Sequence, residues 1–205
     1  MADGLNAHLI SEMKKLHLVL ASTSPRRAQL LQDAGYTFEV VPSPADENDV
    51  VFTATSSIES FVCKKAATKA EGAVPLRPGA LVVGCDTVVV CKGRIYEKPK
   101  SPAECVQFLE DFSESTCTVV TAVAMRGPGV CHDLTASTEV DFRRIPKEDS
   151  VAYAATSEPY DKSGGFACLG HAARWISCMR GDAPTVLGLP ICAFANALEQ
   201  LGLAV

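Results

Sequence analysis

The segment that most constrains the fold is an apolar run at residues 80–91. Both alternating faces of this run are apolar, which is typical of a β-strand covered on both sides in the middle of a sheet. Asp86 lies inside it. Because an unpaired carboxylate is costly to bury, we expect Asp86 to have a cation, a metal ion or an activated water as its partner. The alternative is a strand that ends at Gly84 and leaves Asp86 at a frayed end.

Strand-like and helix-like segments alternate along the chain, which favours an α/β protein whose mixed, twisted sheet is flanked by helices. We predict a leader at 1–15 and a single domain at 16–205. The predicted strands are 17–21, 37–41, 80–91, 94–96, 116–125, 130–142 and 173–179, and the predicted helices are 25–34, 56–72, 101–112, 146–156 and 191–201, with a Gly-rich loop at 157–171.

Three of the predicted helices begin with capping signals. Ser24 precedes Pro25, which fits the first helical position. Ser56 and Glu59 have the spacing of a capping box, and a Ser-Pro-Ala-Glu stretch at 101–104 repeats it.

Charge restricts the class of partner. Against 19 Lys and Arg residues stand 24 Asp and Glu residues, a formal net charge of -5. This balance argues against binding to a nucleic-acid duplex or an anionic membrane, and it leaves small molecules and proteins as partners. No apolar run reaches the roughly 18 residues of a membrane span.

The nine cysteines include no CxxC pair, and the N-terminal residues contain no apolar segment like that of a signal peptide. We therefore expect a cytoplasmic protein with free thiols, most of them packed as small apolar side chains. The alternative is a thiol-redox or metal-storage protein, which would bind zinc or lose function on alkylation.

A candidate phosphate-binding turn lies at residues 22–27, between a predicted strand and a predicted helix. A helix N-terminus offers unpaired N–H groups, to which Ser22 and Ser24 add hydroxyls and Arg26 and Arg27 add guanidinium groups. The alternative is a well-capped helix with two solvated arginines, although arginine is unfavourable at that end of the helix dipole.

Two lysines and a glycine-containing loop could complete an anion site. Lys69 and Lys98 are each typical of a solvated surface when taken alone. The loop at 161–165 contains two glycines, which allow close approach of a ligand but also occur in simple turns.

Taken together, these motifs resemble in order and spacing those of the Maf family. They are Leu18 to Arg27, Lys69-Ala70, Gly84 to Val89, Glu97-Lys98-Pro99, Asp161 to Gly165 and Val186 to Pro190. The resemblance implies a nucleoside triphosphate pyrophosphatase, which cuts between the α- and β-phosphates. It also implies two lobes around a central cleft, a fold similar to that of the inosine triphosphate pyrophosphatases, and a homodimer.

The resemblance also implies residue roles. Asp86 matches the proton acceptor and, with Glu47, the ligands of a divalent cation, Mg²⁺ or Mn²⁺. Thr87 stands at a position tied to substrate choice, together with Arg26 and Leu169. The phosphate-binding positions are Ser22, Ser24, Arg26, Arg27, Lys69 and Lys98.

The Gly-Cys-Asp-Thr form of the motif at 84–87 is similar to the branch that acts on dTTP and UTP. Leu169, however, replaces a glutamine linked to base recognition in that branch. Loss of an amide removes a donor and an acceptor worth ~1–3 kcal/mol, so base preference stays open. A second interpretation is a nucleotide-binding regulator of cell division without turnover, which would not need the Asp86 carboxylate.

Overall fold

The computed structural model of the chain describes residues 14–46, 49–53 and 55–204. Its strands are β1 (Lys14–Lys15), β2 (Leu18–Leu20), β3 (Phe38–Val40), β4 (Leu81–Cys91), β5 (Arg94–Tyr96), β6 (Thr116–Gly127), β7 (Val130–Phe142), β8 (Ile176–Arg180) and β9 (Leu203–Ala204). Its α-helices are α1 (Pro25–Asp33), α2 (Ile58–Ala73), α3 (Pro102–Phe112), α4 (Lys147–Ala154), α5 (Ala183–Leu187) and α6 (Ile191–Gln200).

The main sheet has the strand order β3-β2-β4-β6-β7-β8, with β5 paired to β4. Strand β2 runs parallel to both β3 and β4, whereas β4–β5 and β7–β8 are antiparallel. The predicted mixed α/β sheet flanked by helices is thereby confirmed, as is the mid-sheet position of β4. A separate two-stranded parallel sheet joins β1 to β9.

The described residues form two compact units, each with its own core. Within the described ranges, the first unit draws on the residues up to Asp86, on Ala122–Leu134 and on the residues from Leu189 onward, and the second on Thr87–Thr121 and Thr135–Gly188. The three long strands β4, β6 and β7 therefore contribute residues to both units. Core side chains of the first unit include Leu20, Leu31, Val83, Met125 and Phe194; those of the second include Tyr96, Phe112, Phe142, Tyr153 and Trp175.

Burial separates the cysteines into groups, and all nine are free thiols. Cys85, Cys91, Cys105, Cys117 and Cys168 are buried, as predicted for small apolar side chains; Cys131, Cys178 and Cys192 are exposed, and Cys63 is half-buried. No helix among the described residues is long and apolar enough to cross a membrane.

The capping box predicted at Ser56 and Glu59 is wrong by one residue. Ser57 is the N-cap of α2, and its side chain accepts a hydrogen bond from the N–H of Ser60 at 3.1 Å. Ser56 instead bonds back to Thr53, where its hydroxyl accepts from the backbone N–H at 3.3 Å. The Ser101 cap is confirmed, because its hydroxyl accepts from the N–H of Glu104 at 3.2 Å.

Other departures from the prediction lie near the C-terminal end. Residues 171–175 form a 3₁₀ helix, so β8 begins later than predicted. The short helix α5 was not predicted, and Gly188 ends it with a left-handed φ of 106°.

Candidate active site

Asp86 lies within β4, which continues without interruption through Gly84. The alternative of a strand that ends before Asp86 is therefore wrong. The residue is only 7% exposed, so its carboxylate is taken from water and needs a partner.

Lys69 supplies that partner from helix α2. Its Nζ donates to Asp86 Oδ1 at 2.7 Å and to the backbone oxygen of Cys85 at 3.3 Å. The two side chains are 15% and 10% exposed, so this is a largely buried ion pair. Taken alone, the sequence around Lys69 is typical of a solvated surface lysine. The structure corrects that interpretation, because the Lys69 side chain is largely buried.

A glycine explains how α2 comes close enough for this contact. A Cβ built on Gly84 would lie 2.2 Å from the backbone oxygen of Ala66 and 2.6 Å from the nitrogen of Ala70. Both atoms belong to the backbone of α2, so a side chain on β4 at this point would push the helix away. Gly84 thereby lets α2 bring Lys69 to Asp86.

The second carboxylate oxygen of Asp86 has a different environment. Oδ2 is buried and makes no hydrogen bond to any residue that the structure describes. Such an orphaned oxygen suits a divalent cation, since Mg²⁺ takes oxygen ligands and often uses one or two carboxylates plus waters and phosphates. Within the described residues, no group of three or more His, Cys, Asp or Glu side chains could hold a metal ion by itself. Glu47, the second predicted metal ligand, lies outside the described residues.

The turn predicted to bind phosphate follows β2, the parallel neighbour of β4. Leu20 lies opposite Val83 in the register, and the N–H of Ala21 donates to the oxygen of Val83 at 2.8 Å. Because β2 and β4 run parallel, the turn that follows β2 lies beside the residues that follow Val83 in β4.

Ser22 organises this turn from a buried position. Its Oγ accepts hydrogen bonds from the N–H of Ser24 at 3.1 Å and from Nη1 of Arg27 at 3.3 Å. Ser24 occupies the N-cap position of α1, but its side chain makes no capping hydrogen bond. Arg26 and Arg27 are half-buried in the first turn of the helix. The sequence-predicted residues of the first unit thus form a turn with two arginines and a Lys69–Asp86 pair.

The charges of Arg27, from the turn, and of Lys69, from the ion pair, both act on the Cys85 thiol. Burial raises the pKa of the Cys85 thiol to about 11, and the charges of Arg27 and Lys69 partly oppose this rise. The positive charge of both side chains is therefore felt at the residue beside Asp86.

The second unit contains the other predicted residues. Thr87 is half-buried, and its Oγ1 lies 2.9 Å from that of Thr121. Lys98 is exposed after β5. Leu169 is 73% exposed, which is unusual for a leucine.

The loop at 161–165 packs against its own unit. Ser163 Oγ donates to the backbone oxygen of Thr87 at 2.6 Å. A Cβ on Gly164, whose φ is +72°, would lie 2.6 Å from the side chain of Val89. Gly164 is therefore explained by close packing against β4 and by its left-handed backbone rather than by a ligand.

Sequence reasoning missed Thr121, which is fully buried in β6. The only signal was a hydroxyl inside the apolar stretch 119–125. Its two partners come from other elements, which the local sequence does not reveal.

Sequence comparison with known proteins points to one family. The sequence model of a family described as "Maf-like protein" matches residues 17–201. The dTTP/UTP pyrophosphatase of Geotalea uraniireducens is 37% identical over 191 residues, which cover 92% of this chain and 96% of the relative. The dTTP/UTP pyrophosphatase of Moorella thermoacetica is 40% identical over 194 residues, with 92% and 96% covered. Among solved structures, the Staphylococcus aureus Ham1 protein matches with a TM-score of 0.42 and 17% identity, over 63% of this chain and 72% of that one.

Proposed function

This chain belongs to the Maf family, and on that premise we propose that it is a nucleoside triphosphate pyrophosphatase. It hydrolyses the bond between the α- and β-phosphates and releases a nucleoside monophosphate and pyrophosphate. The relatives named dTTP/UTP pyrophosphatase support dTTP and UTP as substrates, and we extend the proposal to modified pyrimidine nucleotides. A regulator of cell division without turnover is not favoured by these relatives.

The observation that carries the proposal is the asymmetry of the Asp86 carboxylate. Lys69 fixes Oδ1, while Oδ2 is buried without a hydrogen-bond partner among the described residues. A carboxylate held by one oxygen presents the other in a defined direction. Oδ2 can therefore orient an attacking water and accept its proton, which is the role of a general base.

The triphosphate is held by cations and hydroxyls. In the first unit, Arg26 and Arg27 offer guanidinium groups that match phosphate oxygens, and Ser24 has a hydroxyl that does not cap its helix. Phosphoryl-group chemistry depends mainly on such positioning and charge stabilisation, so no covalent nucleophile is required. Lys98 joins this set on the strength of the family resemblance.

A divalent cation, Mg²⁺ or Mn²⁺, completes the proposed site. When bound, it supplies charge neutralisation and Lewis-acid polarisation of phosphate oxygens. Asp86 Oδ2 and, by resemblance, Glu47 would hold it. A carboxylate oxygen has two lone pairs, so one lone pair of Oδ2 would face the cation and the other would accept the proton of the water.

Base choice is assigned to Arg26, Thr87 and Leu169. Because Leu169 has no amide, any contact that it makes with the base is apolar. Thr87 is then the side chain of this set with a neutral polar group for the base.

The test is pyrophosphate release from a panel that contains dTTP, UTP, CTP, GTP, and 5-methyl and 7-methyl nucleotides, with and without Mg²⁺. We expect release from a pyrimidine nucleotide in the presence of the metal. Asp86→Asn should lower kcat by about 10²–10⁴-fold, the range of a lost general base, while nucleotide binding persists. The variant should fold with lower stability, because Lys69 keeps its charge but loses the carboxylate that compensates it.

Glu39→Gln is the matched control, since Glu39 is also a carboxylate paired with a cation, Arg77, but its side chain is 37% exposed. It should retain turnover. Release from no nucleotide would favour the regulator, and an Asp86→Asn variant with wild-type turnover would contradict the role of Asp86. The resemblance further supports a cytoplasmic homodimer. Light scattering after size-exclusion chromatography tests the oligomeric state.

A further inference from the structure

Thr121 connects three elements of the second unit through one buried hydroxyl. Its Oγ1 lies 2.9 Å from Oγ1 of Thr87 on β4 and 2.7 Å from the backbone oxygen of Thr185 on α5. The residue itself has no exposed surface. A hydroxyl inside such an apolar strand calls for an explanation, because its hydrogen bonds must all be made within the protein.

The directions of these two hydrogen bonds follow from their chemistry. The oxygen of Thr185 is a carbonyl, so it can only accept, and Thr121 must donate its single proton there. In the bond between the two hydroxyls, Thr87 is therefore the donor and Thr121 the acceptor. Toward any further partner, Thr87 Oγ1 can then only accept.

The backbone of Thr87 is held as well. Its carbonyl oxygen accepts a hydrogen bond from Ser163 Oγ at 2.6 Å. The hydroxyl and the carbonyl group of Thr87 therefore each have a hydrogen-bond partner within the second unit. Thr87 is nevertheless half-buried rather than fully buried, and it directly follows Asp86 in the chain.

We propose that Thr121 is a positioning residue that orients the Thr87 hydroxyl as an acceptor for a ring N–H of the nucleotide base. This inference rests on the proposed function, in which Thr87 contacts the base. Uracil and thymine present an N–H at ring position 3, whereas cytosine presents a lone pair there. An acceptor-only oxygen bonds the former and repels the latter, so the buried hydroxyl of Thr121 selects UTP and dTTP over CTP.

The experiment measures kcat/KM for UTP and for CTP in three variants. Thr121→Val removes the hydroxyl at nearly constant shape and releases the Thr87 proton, so that Thr87 can donate to cytosine. We expect the UTP-to-CTP ratio to fall about tenfold, the equivalent of one hydrogen bond of ordinary strength. Thr121→Ser keeps the hydroxyl and should restore the wild-type ratio.

Thr138→Val is the matched control. Thr138 is also a buried threonine, 1% exposed, and its hydroxyl bonds the backbone N–H and oxygen of Asp182, both at 2.9 Å. It should retain the ratio, because no hydrogen bond joins it to Thr87 in the described structure. The Thr185 oxygen keeps a second donor, the N–H of Gly188 at 3.2 Å, which favours folding of Thr121→Val.

Thr87→Val provides a second route if Thr121→Val does not fold, and it should lower the ratio to the same extent. An unchanged ratio in Thr121→Val or in Thr87→Val overturns the inference, as does an equal fall in Thr138→Val. Failure of the proposed function is distinguishable, because the wild-type protein would then release no pyrophosphate from either nucleotide.

Discussion

At the scale of single residues, the ion pair between Lys69 and Asp86 joins stability to the proposed chemistry. Two charges that are 15% and 10% exposed are stable together because each compensates for the lost hydration of the other. Removal of either one leaves a buried charge without its partner. The same pair that positions the proposed base therefore makes its surroundings sensitive to substitution.

We predict that Lys69→Met lowers the free energy of unfolding, measured by urea denaturation, by about 3 kcal/mol, because it leaves the buried Asp86 carboxylate without its cation. The double variant Lys69→Met with Asp86→Asn should be more stable than Lys69→Met alone, because a neutral amide is cheaper to bury. Lys92→Met, at an exposed lysine that donates to the backbone oxygen of Asp111, is the control and should change stability little. Equal stability of the single and double variants would contradict this interpretation.

The sequence predicted that Asp86 needs a partner but did not identify it. The cost of burying a charge is a local argument, so it can be made from one apolar run. The choice of Lys69 depends on where α2 crosses β4, and that crossing is set by tertiary packing. Orientation of the Thr87 hydroxyl by Thr121 is still further from prediction, since it depends on the direction of hydrogen bonds among three elements.

At the scale of elements, the contact between α2 and β4 depends on a missing side chain. The backbone atoms of Ala66 and Ala70 lie where a Cβ on Gly84 would be, at 2.2 and 2.6 Å. Backbone atoms within a helix cannot move singly, so the whole helix must shift to admit a methyl group. The position of Lys69 would shift with it.

We therefore expect Gly84→Ala to destabilise the protein by about 2 kcal/mol, as overpacking does, and also to lower turnover. Gly127→Ala is the matched control in the same unit, because its nearest contact, the oxygen of Ala80, is at 3.0 Å. It should cost less stability and retain turnover. Urea unfolding and initial rates measure both effects, and wild-type behaviour of Gly84→Ala would refute the packing argument.

Helix and strand positions were largely predictable, because apolar periodicity and turn residues act locally. Their ends were less so. Ser56 and Ser57 are both competent N-caps, but Ser57 caps the helix while the Ser56 hydroxyl bonds to Thr53. Ser24 occupies the N-cap position, but its side chain makes no capping hydrogen bond. Sequence rules do not separate such a serine from one that caps its helix.

At the scale of the whole molecule, net charge and local charge differ in sign. The chain carries a net charge of -5, yet the turn after β2 holds Arg26 and Arg27. An anionic substrate is therefore attracted by the site rather than by the molecule, and screening by salt limits the attraction to about 10 Å at 0.1 M. The overall composition could not reveal this site.

The division into two units was also beyond the reach of local sequence patterns. Strands β4, β6 and β7 each contribute to both units, so no linker marks the division. The cysteine count was informative only in part, because burial of a thiol depends on which strand face meets a core.

Buried thiols give the molecule a predictable weakness at alkaline pH. Burial raises the pKa of Cys85 from its ordinary value of 9.0 to about 11. In the unfolded chain this thiol ionises first, so its contribution to stability is complete below about pH 9 and is lost as the pH rises toward 11. At about 1.4 kcal/mol per pH unit, this one thiol accounts for a loss of about 3 kcal/mol by pH 11, of which about 2 kcal/mol has occurred by pH 10.5. Urea unfolding at pH 8 and pH 10.5 under reducing conditions should show a smaller loss in Cys85→Ala than in wild type. Cys192→Ala, at an exposed thiol, should follow wild type, and an equal loss in Cys85→Ala would contradict the assignment.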